Sequence, residues 1–188
     1  MLASILAAGL AGCGNERASA PNGPEAPSRT PVSLRFARAG LQVQLPQNTR
    51  IDRELDLPAV FRASLGEPFA SAYAYRRTQQ LPRNDRELQA ARRRLTAVAS
   101  RRDATYTLRR SRLVTVAGAR GVELLGDQTL ARRRFTIRSL HLFDGNGEYV
   151  VEVAAPVSGF ARFDGPVSGM VRRTLKLSGR VAGTSGRP

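Results

Sequence analysis

Apolar and polar residues alternate with a period of two along most of the chain, a pattern typical of strands with one buried face. Residues 32–36 and 41–45 alternate in this way on either side of a short turn, which predicts a hairpin. Further strands are predicted at 59–65, 69–76, 107–116, 121–125, 134–143 and 148–153. The sequence Asp-Gly-Asn-Gly at 144–147 predicts a tight turn, because Gly and Asn tolerate a positive φ. Residues 47–58 are polar, and an irregular segment is predicted there.

The spacing of apolar residues changes to that of a helix at about 84–102. Asn84 is placed to cap this helix, with Glu87 three residues later as in a capping box. The apolar residues that share one face are Leu88, Ala91, Leu95 and Val98. The first helix is therefore predicted to pack on the sheet through this face.

A second helix is predicted at about 160–177, where apolar residues again keep helical spacing. Pro166 follows Asp164 closely and is expected in the first turn of this helix, where proline is tolerated. The order of strands, helix, strands and helix predicts an α+β fold, with an antiparallel sheet covered by two main helices.

Four segments carry a resemblance to the PsbP/Mog-like superfamily, which includes the LpqN-type bacterial lipoproteins. They are a strand ending in proline at 39–46, the central helix at 84–102, a strand pair containing glycine at 116–124 and the closing helix at 160–177. The resemblance covers most of residues 32–178. It implies a curved antiparallel sheet covered by helices, and a binding or assembly module without shared catalytic residues.

The N-terminal residues resemble those of bacterial lipoprotein precursors. Residues 2–12 are apolar and uncharged, and they end in the lipobox-like sequence Leu10-Ala11-Gly12-Cys13. The resemblance implies a signal peptide at 1–12, cleavage between Gly12 and Cys13, and a diacylglyceryl group on the Cys13 thiol. It also implies that the domain is anchored on the extracytoplasmic side of the cell membrane. No Lys or Arg precedes Cys13, which departs from export signals; a start codon further upstream or a protein that is not exported would each explain this.

Composition divides the rest of the chain. Residues 13–31 are rich in Pro and poor in large apolar side chains, so a flexible linker is predicted after the lipidated cysteine. Residues 32–178 are expected to form a single α+β domain, and 179–188 a flexible tail. One Cys and one His exclude an intramolecular disulfide and a Cys/His zinc site, and no cofactor or metal is expected.

Charge is the remaining signal, because 30 basic residues stand against 15 acidic ones and give a net charge of +15. The candidate anion-binding residues are Arg92, Arg93, Arg94, Arg132, Arg133 and Arg134. Such a surface suits anionic envelope lipids or cell-wall polymers, and the alternative is a solvated surface without a specific ligand. Nucleic acid is the least favoured partner, although Tyr73 and Tyr75 beside Arg76 and Arg77 could stack on bases.

Catalysis has little support in the sequence. His141 lies between large apolar residues on a predicted strand, and we interpret it as half-buried and structural. A Ser-His-Asp arrangement would need Ser139 or Ser158 with Asp144, but no Gly-x-Ser-x-Gly elbow occurs. The favoured function is therefore a membrane-anchored, non-catalytic domain that binds a ligand or a protein partner. The alternative is a cell-envelope hydrolase that uses His141 or scattered carboxylates, which are Glu123, Asp127, Asp144, Glu148, Glu152 and Asp164.

Overall fold

Two antiparallel sheets and two long helices make up the computed structural model, which describes residues 25–53 and 58–182. The strands are β1 (Pro31–Phe36), β2 (Leu41–Pro46), β3 (Arg50–Asp52), β4 (Ala59–Ser64), β5 (Phe69–Arg76), β6 (Thr107–Val116), β7 (Ala119–Leu130), β8 (Arg133–Asp144), β9 (Gly147–Pro156) and β10 (Lys176–Leu177). The helices are α1 (Asp85–Arg102) and α2 (Phe160–Thr174), and a 3₁₀ turn at Val157–Gly159 leads into α2. The predicted α+β class is confirmed.

Seven strands form the large sheet, in the order β3-β4-β5-β9-β8-β7-β6, with every neighbouring pair antiparallel. Its longest strands, β6 to β9, follow one another as a meander. The predicted turn between the last two strands is confirmed, because Asp144 pairs with Gly147 across it. Ala131 and Arg132 form the β7–β8 turn with positive φ angles of 47° and 65°. The chain thus reverses its direction over two residues, although neither Ala nor Arg is a residue type typical of such a turn.

The small sheet has the order β1-β2-β10 and packs with α2 on one face of the large sheet. Together they bury the main core, to which the small sheet contributes Leu34 and Val43 and α2 contributes Val167 and Val171. Tyr149 of β9 is fully buried there. The predicted hairpin at 32–45 is thus present, and it belongs to this second sheet.

Helix α1 lies on the opposite face of the large sheet, where it contacts β6 and β7. The predicted cap is present, since the Asn84 side chain accepts a hydrogen bond from the Glu87 backbone N–H at 3.0 Å. The two halves of the apolar face of α1 differ in their exposure to solvent. Leu88 in the first half is 1% exposed, whereas Val98 in the second half is 43% exposed. The C-terminal half of α1 therefore stands over an open space on this face of the sheet.

The second helix begins at the predicted residue, but it departs from its prediction in the position of Pro166 and at its C-terminal end. It begins at Phe160, so Pro166 lies inside the helix and the prediction of a first-turn position is wrong. It ends at Thr174, since Leu175 has extended dihedral angles and Lys176–Leu177 pair with β2 as β10. The prediction extended the helix through these residues because an edge strand of two residues is too short to show a periodic pattern of its own.

The segment predicted as irregular contains a short strand. Residues Arg50–Asp52 pair with Ser64, Ala63 and Arg62 as β3. Three residues are too few to show a period of two, and two of them are charged. Residues 54–57 of the same segment lie outside the described residues.

Some residues of the predicted linker and of the predicted tail are hydrogen-bonded to the domain. Asn48 accepts a hydrogen bond from the backbone N–H of Ser28 at 2.8 Å and donates one to Glu25 at 2.7 Å, so residues 25–30 are bound to the turn after β2. Residues 178–182 are hydrogen-bonded to two turns. Ser178 N–H donates to Gly40 C=O, and Gly179 C=O accepts from Asn146 N–H, each at 2.9 Å. The predicted signal peptide at 1–12, Cys13 and residues 183–188 lie outside the described residues.

Candidate functional site: a cavity between α1 and the large sheet

A cavity of about 600 Å³ lies between the C-terminal half of α1 and the face of the large sheet away from the core. Volumes of 300 to 1,000 Å³ are typical of small-molecule sites. The α1 residues on its wall are Leu95, Val98, Ala99 and Arg102, and the other walls come from β4, β5, β7, β8, β9 and the segment after α1. The cavity exists because α1 covers β6 and β7 and leaves β5 and β9 without a helix above them.

Aromatic and aliphatic side chains make up most of the wall. The aromatic ones are Phe69, Tyr73, Tyr75 and Tyr106, and the aliphatic ones from the sheet are Leu124, Leu130, Ile137 and Val150. Tyr73 and Tyr75 are two residues apart on β5 and share a face, with ring centroids 6.4 Å apart. Burial raises the pKa of Tyr75 and of Tyr106. Both phenols therefore stay neutral at physiological pH and act as hydrogen-bond donors or acceptors to anything inside.

A chain of hydrogen bonds crosses the floor of the cavity. Nε2 of His141 lies 3.2 Å from Oγ of Ser139, two residues earlier on β8. Nδ1 of His141 lies 3.0 Å from Oε1 of Glu148 on β9. The other Glu148 oxygen accepts from Nε of Arg77 at 2.8 Å. The three strand residues share a face because alternate residues on paired strands point the same way.

The charge of Glu148 determines which atoms donate the hydrogen bonds at its end of this chain. Burial raises the pKa of Glu148, but the hydrogen bonds and charges of His141 and Arg77 lower it by a larger amount. The net pKa is therefore below its usual range. An ionised Glu148 accepts from Nδ1 of His141. Nε2 is then the ring nitrogen that faces the Ser139 hydroxyl.

Glu152 is the least satisfied polar group on the floor. Among the described residues its one hydrogen bond is to Ser139 Oγ, at 3.4 Å. Burial raises the pKa of Glu152, while the charge of His141, the hydrogen bond from Ser139 and the charge of Arg102 lower it by less. A carboxyl that faces a cavity with one long hydrogen bond has acceptor capacity left for a ligand.

Cationic side chains border the cavity. The guanidinium of Arg62 stacks over the Phe69 ring at 4.0 Å, and that of Arg77 lies 5.0 Å from the Tyr75 ring centroid. The Arg102 side chain also lines the cavity, and its positive charge lies near the carboxyl of Glu152. The rim is therefore positively charged, while the interior is apolar with a hydrogen-bonding floor.

The structure brings together some of the residues that the sequence offered for catalysis. Ser139 and His141 are in contact, as the serine hypothesis required, but Glu148 takes the place proposed for Asp144. Asp144 lies at the end of β8 opposite Gly147, and Ser158 lies exposed in the 3₁₀ turn. His141 is half-buried, as we expected for a structural histidine.

The candidate anion-binding arginines fall in two places. Arg92, Arg93 and Arg94 lie on the middle turns of α1, where the last two are exposed. Arg132 lies in the β7–β8 turn, and Arg133 and Arg134 follow it on β8. Arg133 is paired with Glu67, and Arg134 Nη2 lies 3.3 Å from Asp127. Whether either group binds anions stays a prediction.

No pattern in the sequence indicates the cavity directly, although an indirect signal is present. Val98 belongs to the apolar face of α1 but lies in a stretch dominated by arginine, which is too polar to pack closely on a sheet. Glu148 and Glu152 alternate with valine on β9, so a polar stripe on one face of that strand could also have been predicted. In the described ranges, no cluster of three or more His, Cys, Asp or Glu is placed to hold a metal ion, and no helix is long and apolar enough to cross a bilayer.

The fold is similar to two solved structures. The solution structure of cyanobacterial PsbP from Synechocystis sp. PCC 6803 superposes with a TM-score of 0.56 at 8% identity, over 85% of this chain and 97% of that chain. LpqN of Mycobacterium tuberculosis, a protein involved in cell envelope biogenesis, superposes with a TM-score of 0.54 at 12% identity, over 79% of this chain and 90% of that chain. No family model and no curated protein matches the sequence. The comparison confirms the expected PsbP-like, LpqN-type fold.

Proposed function

We propose that this domain binds an amphipathic small molecule in the cavity between α1 and the large sheet. One observation carries the proposal, a cavity of about 600 Å³ that combines an apolar wall with a hydrogen-bonding floor. An apolar ligand body would replace water against Tyr73, Leu124 and Ile137, and burial of apolar area is the main source of affinity in such sites. The acceptor capacity of Glu152 and the hydroxyl of Ser139 would orient the polar end.

We further propose that the domain works as an extracytoplasmic lipoprotein, held at the membrane by acylated Cys13. The support is the lipobox-like sequence at 10–13 and the fold shared with LpqN. Each buried methylene contributes about 0.8 kcal/mol, so more than one acyl chain is needed for a durable anchor. A protein partner in the envelope would fit the same location.

Two substitutions on α1 test ligand binding. Ala99 lines the cavity, whereas Ala97 is exposed on the same helix. With N-phenyl-1-naphthylamine as a neutral fluorescent probe, we expect binding to the wild-type chain and at least a tenfold weaker affinity for Ala99→Trp. Ala97→Trp adds the same indole outside the cavity and should bind as wild type does. Equal affinities for all three proteins, or no binding to wild type, would contradict the proposal.

The anchor is tested separately by expressing the gene with its upstream codons in a bacterial host. We expect a mature product that starts at Cys13, carries added acyl mass and sediments with membranes. Cys13→Ala should lose the acyl mass and the membrane association. A wild-type product of unmodified mass in the cytosol would reject the anchor and leave the cavity assay unaffected.

One geometry favours a second function, hydrolysis. Ser139, His141 and Glu148 stand in the order of nucleophile, base and orienting carboxylate. An oxyanion would need nearby N–H donors, yet β8 is paired on both sides at Ser139, with Leu124 and Glu152 opposite it, and its backbone donors are used in the ladders. We therefore favour binding over hydrolysis.

A fluorophosphonate probe and a p-nitrophenyl ester discriminate the two functions. Labelling at Ser139 and ester turnover that is lost in Ser139→Ala and retained in Ser158→Ala would establish the hydrolase. If the protein binds the naphthylamine probe but is neither labelled nor active, the binding function stands.

A further inference from the structure

The other face of the large sheet carries a cluster of arginines around three carboxylates. We call it the arginine face; its members are Arg109, Arg110, Arg112, Arg134, Arg138 and Arg172. Five come from β6 and β8, which flank β7, and Arg172 comes from α2. The strand register places these side chains on the same side of the sheet as the core, beyond the area that α2 covers.

Glu123 is the centre of this cluster. It lies on β7 and is 1% exposed. Arg112 Nε donates to it at 2.8 Å, Arg138 Nη1 lies 3.0 Å away, and Arg172 also donates. Burial raises the pKa of Glu123, but the Arg112 hydrogen bond and the charges of Arg138 and Arg172 lower it by a larger amount. The net pKa is therefore below its usual range. The carboxylate is therefore ionised and holds three guanidinium groups in fixed positions.

A second carboxylate extends the pattern along the same strand. Asp127 lies 3.5 Å from Arg109 and 3.3 Å from Arg134, and it accepts a hydrogen bond from the Thr136 hydroxyl at 2.8 Å. Arg110 lies 3.7 Å from Glu123, between the two centres. The arginines of this face are thus arranged by acids beneath them and do not project independently.

Positive charge remains after these pairs are counted. Six guanidinium groups face three carboxylates, the third being Asp164, which accepts two hydrogen bonds from Arg138 at 2.8 Å. The side chains of Arg109, Arg110 and Arg134 are 53%, 52% and 66% exposed. A guanidinium has five N–H donors, so each of these three keeps donors for a partner in solvent.

We propose that the arginine face seats the domain on a membrane surface rich in anionic phospholipid, with phosphate groups as the ligands of Arg109, Arg110 and Arg134. The charge complementarity is direct, because guanidinium groups suit phosphate oxygens. The small sheet and α2 pack on the same side of the large sheet, so strand β1, which follows the predicted tether, also lies on that side. The proposal rests on the membrane location proposed above and specifies which surface faces the lipid.

Vesicle binding by the full chain tests this surface. The Cys13→Ala background removes the acyl anchor, and vesicles of phosphatidylglycerol with phosphatidylcholine are compared with phosphatidylcholine alone. We expect binding to the anionic vesicles that weakens with salt, since each basic residue near such a surface contributes about a factor of five. The variant Arg109→Gln/Arg110→Gln/Arg134→Gln should bind at least about tenfold more weakly.

The matched control is Arg92→Gln/Arg93→Gln/Arg94→Gln, which removes the same charge from α1 on the opposite side of the sheet. These three arginines were candidates from the sequence, and the present proposal assigns the phosphate groups to the arginine face and not to them. It should bind within about twofold of the parent. An equal loss in both variants would overturn the proposal, because net charge alone would then govern binding. Absence of binding to phosphatidylglycerol vesicles would also overturn it, without affecting the acyl-mass result for Cys13. Circular dichroism of both variants verifies that they are folded.

Discussion

Glu148 and His141 are diagonal neighbours in the large sheet, and a hydrogen bond of 3.0 Å joins them across β8 and β9. Val150 stands directly opposite His141, and Phe143 directly opposite Glu148. A diagonal pair on one face is within reach of long side chains, while the directly opposite positions keep apolar partners. This offset places a charged residue under the cavity without interrupting the strand pairing.

Replacing Glu148 by Gln should lower the free energy of unfolding at pH 7 by about 2 kcal/mol, because the charge that Arg77 and His141 contact is lost. The folded-state pKa of Glu148 is lowered. Its contribution is therefore fully present above the unfolded pKa of about 4.3 and is lost as the pH falls through the folded value. Urea unfolding at pH 7 and pH 3 should show the difference between wild type and variant shrinking in acid.

The control for this prediction is Glu67→Gln. Glu67 pairs with Arg133 on the surface, with a half-exposed side chain, and such pairs contribute about 1 kcal/mol or less. If Glu67→Gln cost as much as Glu148→Gln, the explanation by a buried charge would be wrong.

Glu152→Gln should have the opposite effect on stability. Burial raises the folded-state pKa of Glu152 above its unfolded value, so folding is opposed by the ionised carboxyl at neutral pH. The penalty disappears as the pH falls through the folded pKa towards the unfolded one. Thermal or urea unfolding should therefore show a more stable variant at pH 7 and equal proteins near pH 4. A variant less stable than wild type at pH 7 would refute the argument.

Two leucines of α1 should respond differently to truncation. Leu88 is fully buried against the sheet, and Leu88→Ala should cost about 2 to 5 kcal/mol. Leu95 borders the cavity, where part of its surface already lacks neighbours, so Leu95→Ala should cost about 1 kcal/mol or less. Chemical denaturation of both variants measures the ratio, and similar costs would mean that the cavity is closed in solution.

Gly145 is a further sensitive position. Its φ is +56°, and a Cβ there would lie 1.8 Å from the carbonyl oxygen of Gly179. Gly145→Ala should therefore cost about 3 kcal/mol or more. Gly66 has a similar φ of +68° but open space around it, so Gly66→Ala isolates the backbone strain of about 1 to 2 kcal/mol. Equal melting temperatures for the two variants would show that contact with residue 179 is unimportant.

Much of the fold could be predicted from local pattern, because long strands and a capped helix repeat their signals many times. Strands β5 and β6 and helix α1 were expected at the residues where they occur. The split into two sheets could not be predicted, since β1 and β2 have the same alternation whichever sheet they join. That choice depends on the packing of α2 on β2, a contact between residues far apart in the chain.

The candidate site could likewise be predicted only in part from the sequence. Ser139 and His141 are two residues apart on one strand, so their contact could be predicted from the sequence. Glu148 joins them only through the exact register of β8 on β9, which a one-residue shift would have changed to the other face. The arginine face likewise needs the register of three strands, which explains why consecutive arginines were the candidates from sequence.

The segment at 178–182 links the two sheets at the turns of two hairpins. It bonds to the β1–β2 turn through Gly40 and to the β8–β9 turn through Asn146, so one short strap is shared by the small sheet and the large one. Either turn can move only if the strap also moves. Opening one sheet away from the other would therefore break hydrogen bonds of this segment, although no strand ladder joins the two sheets.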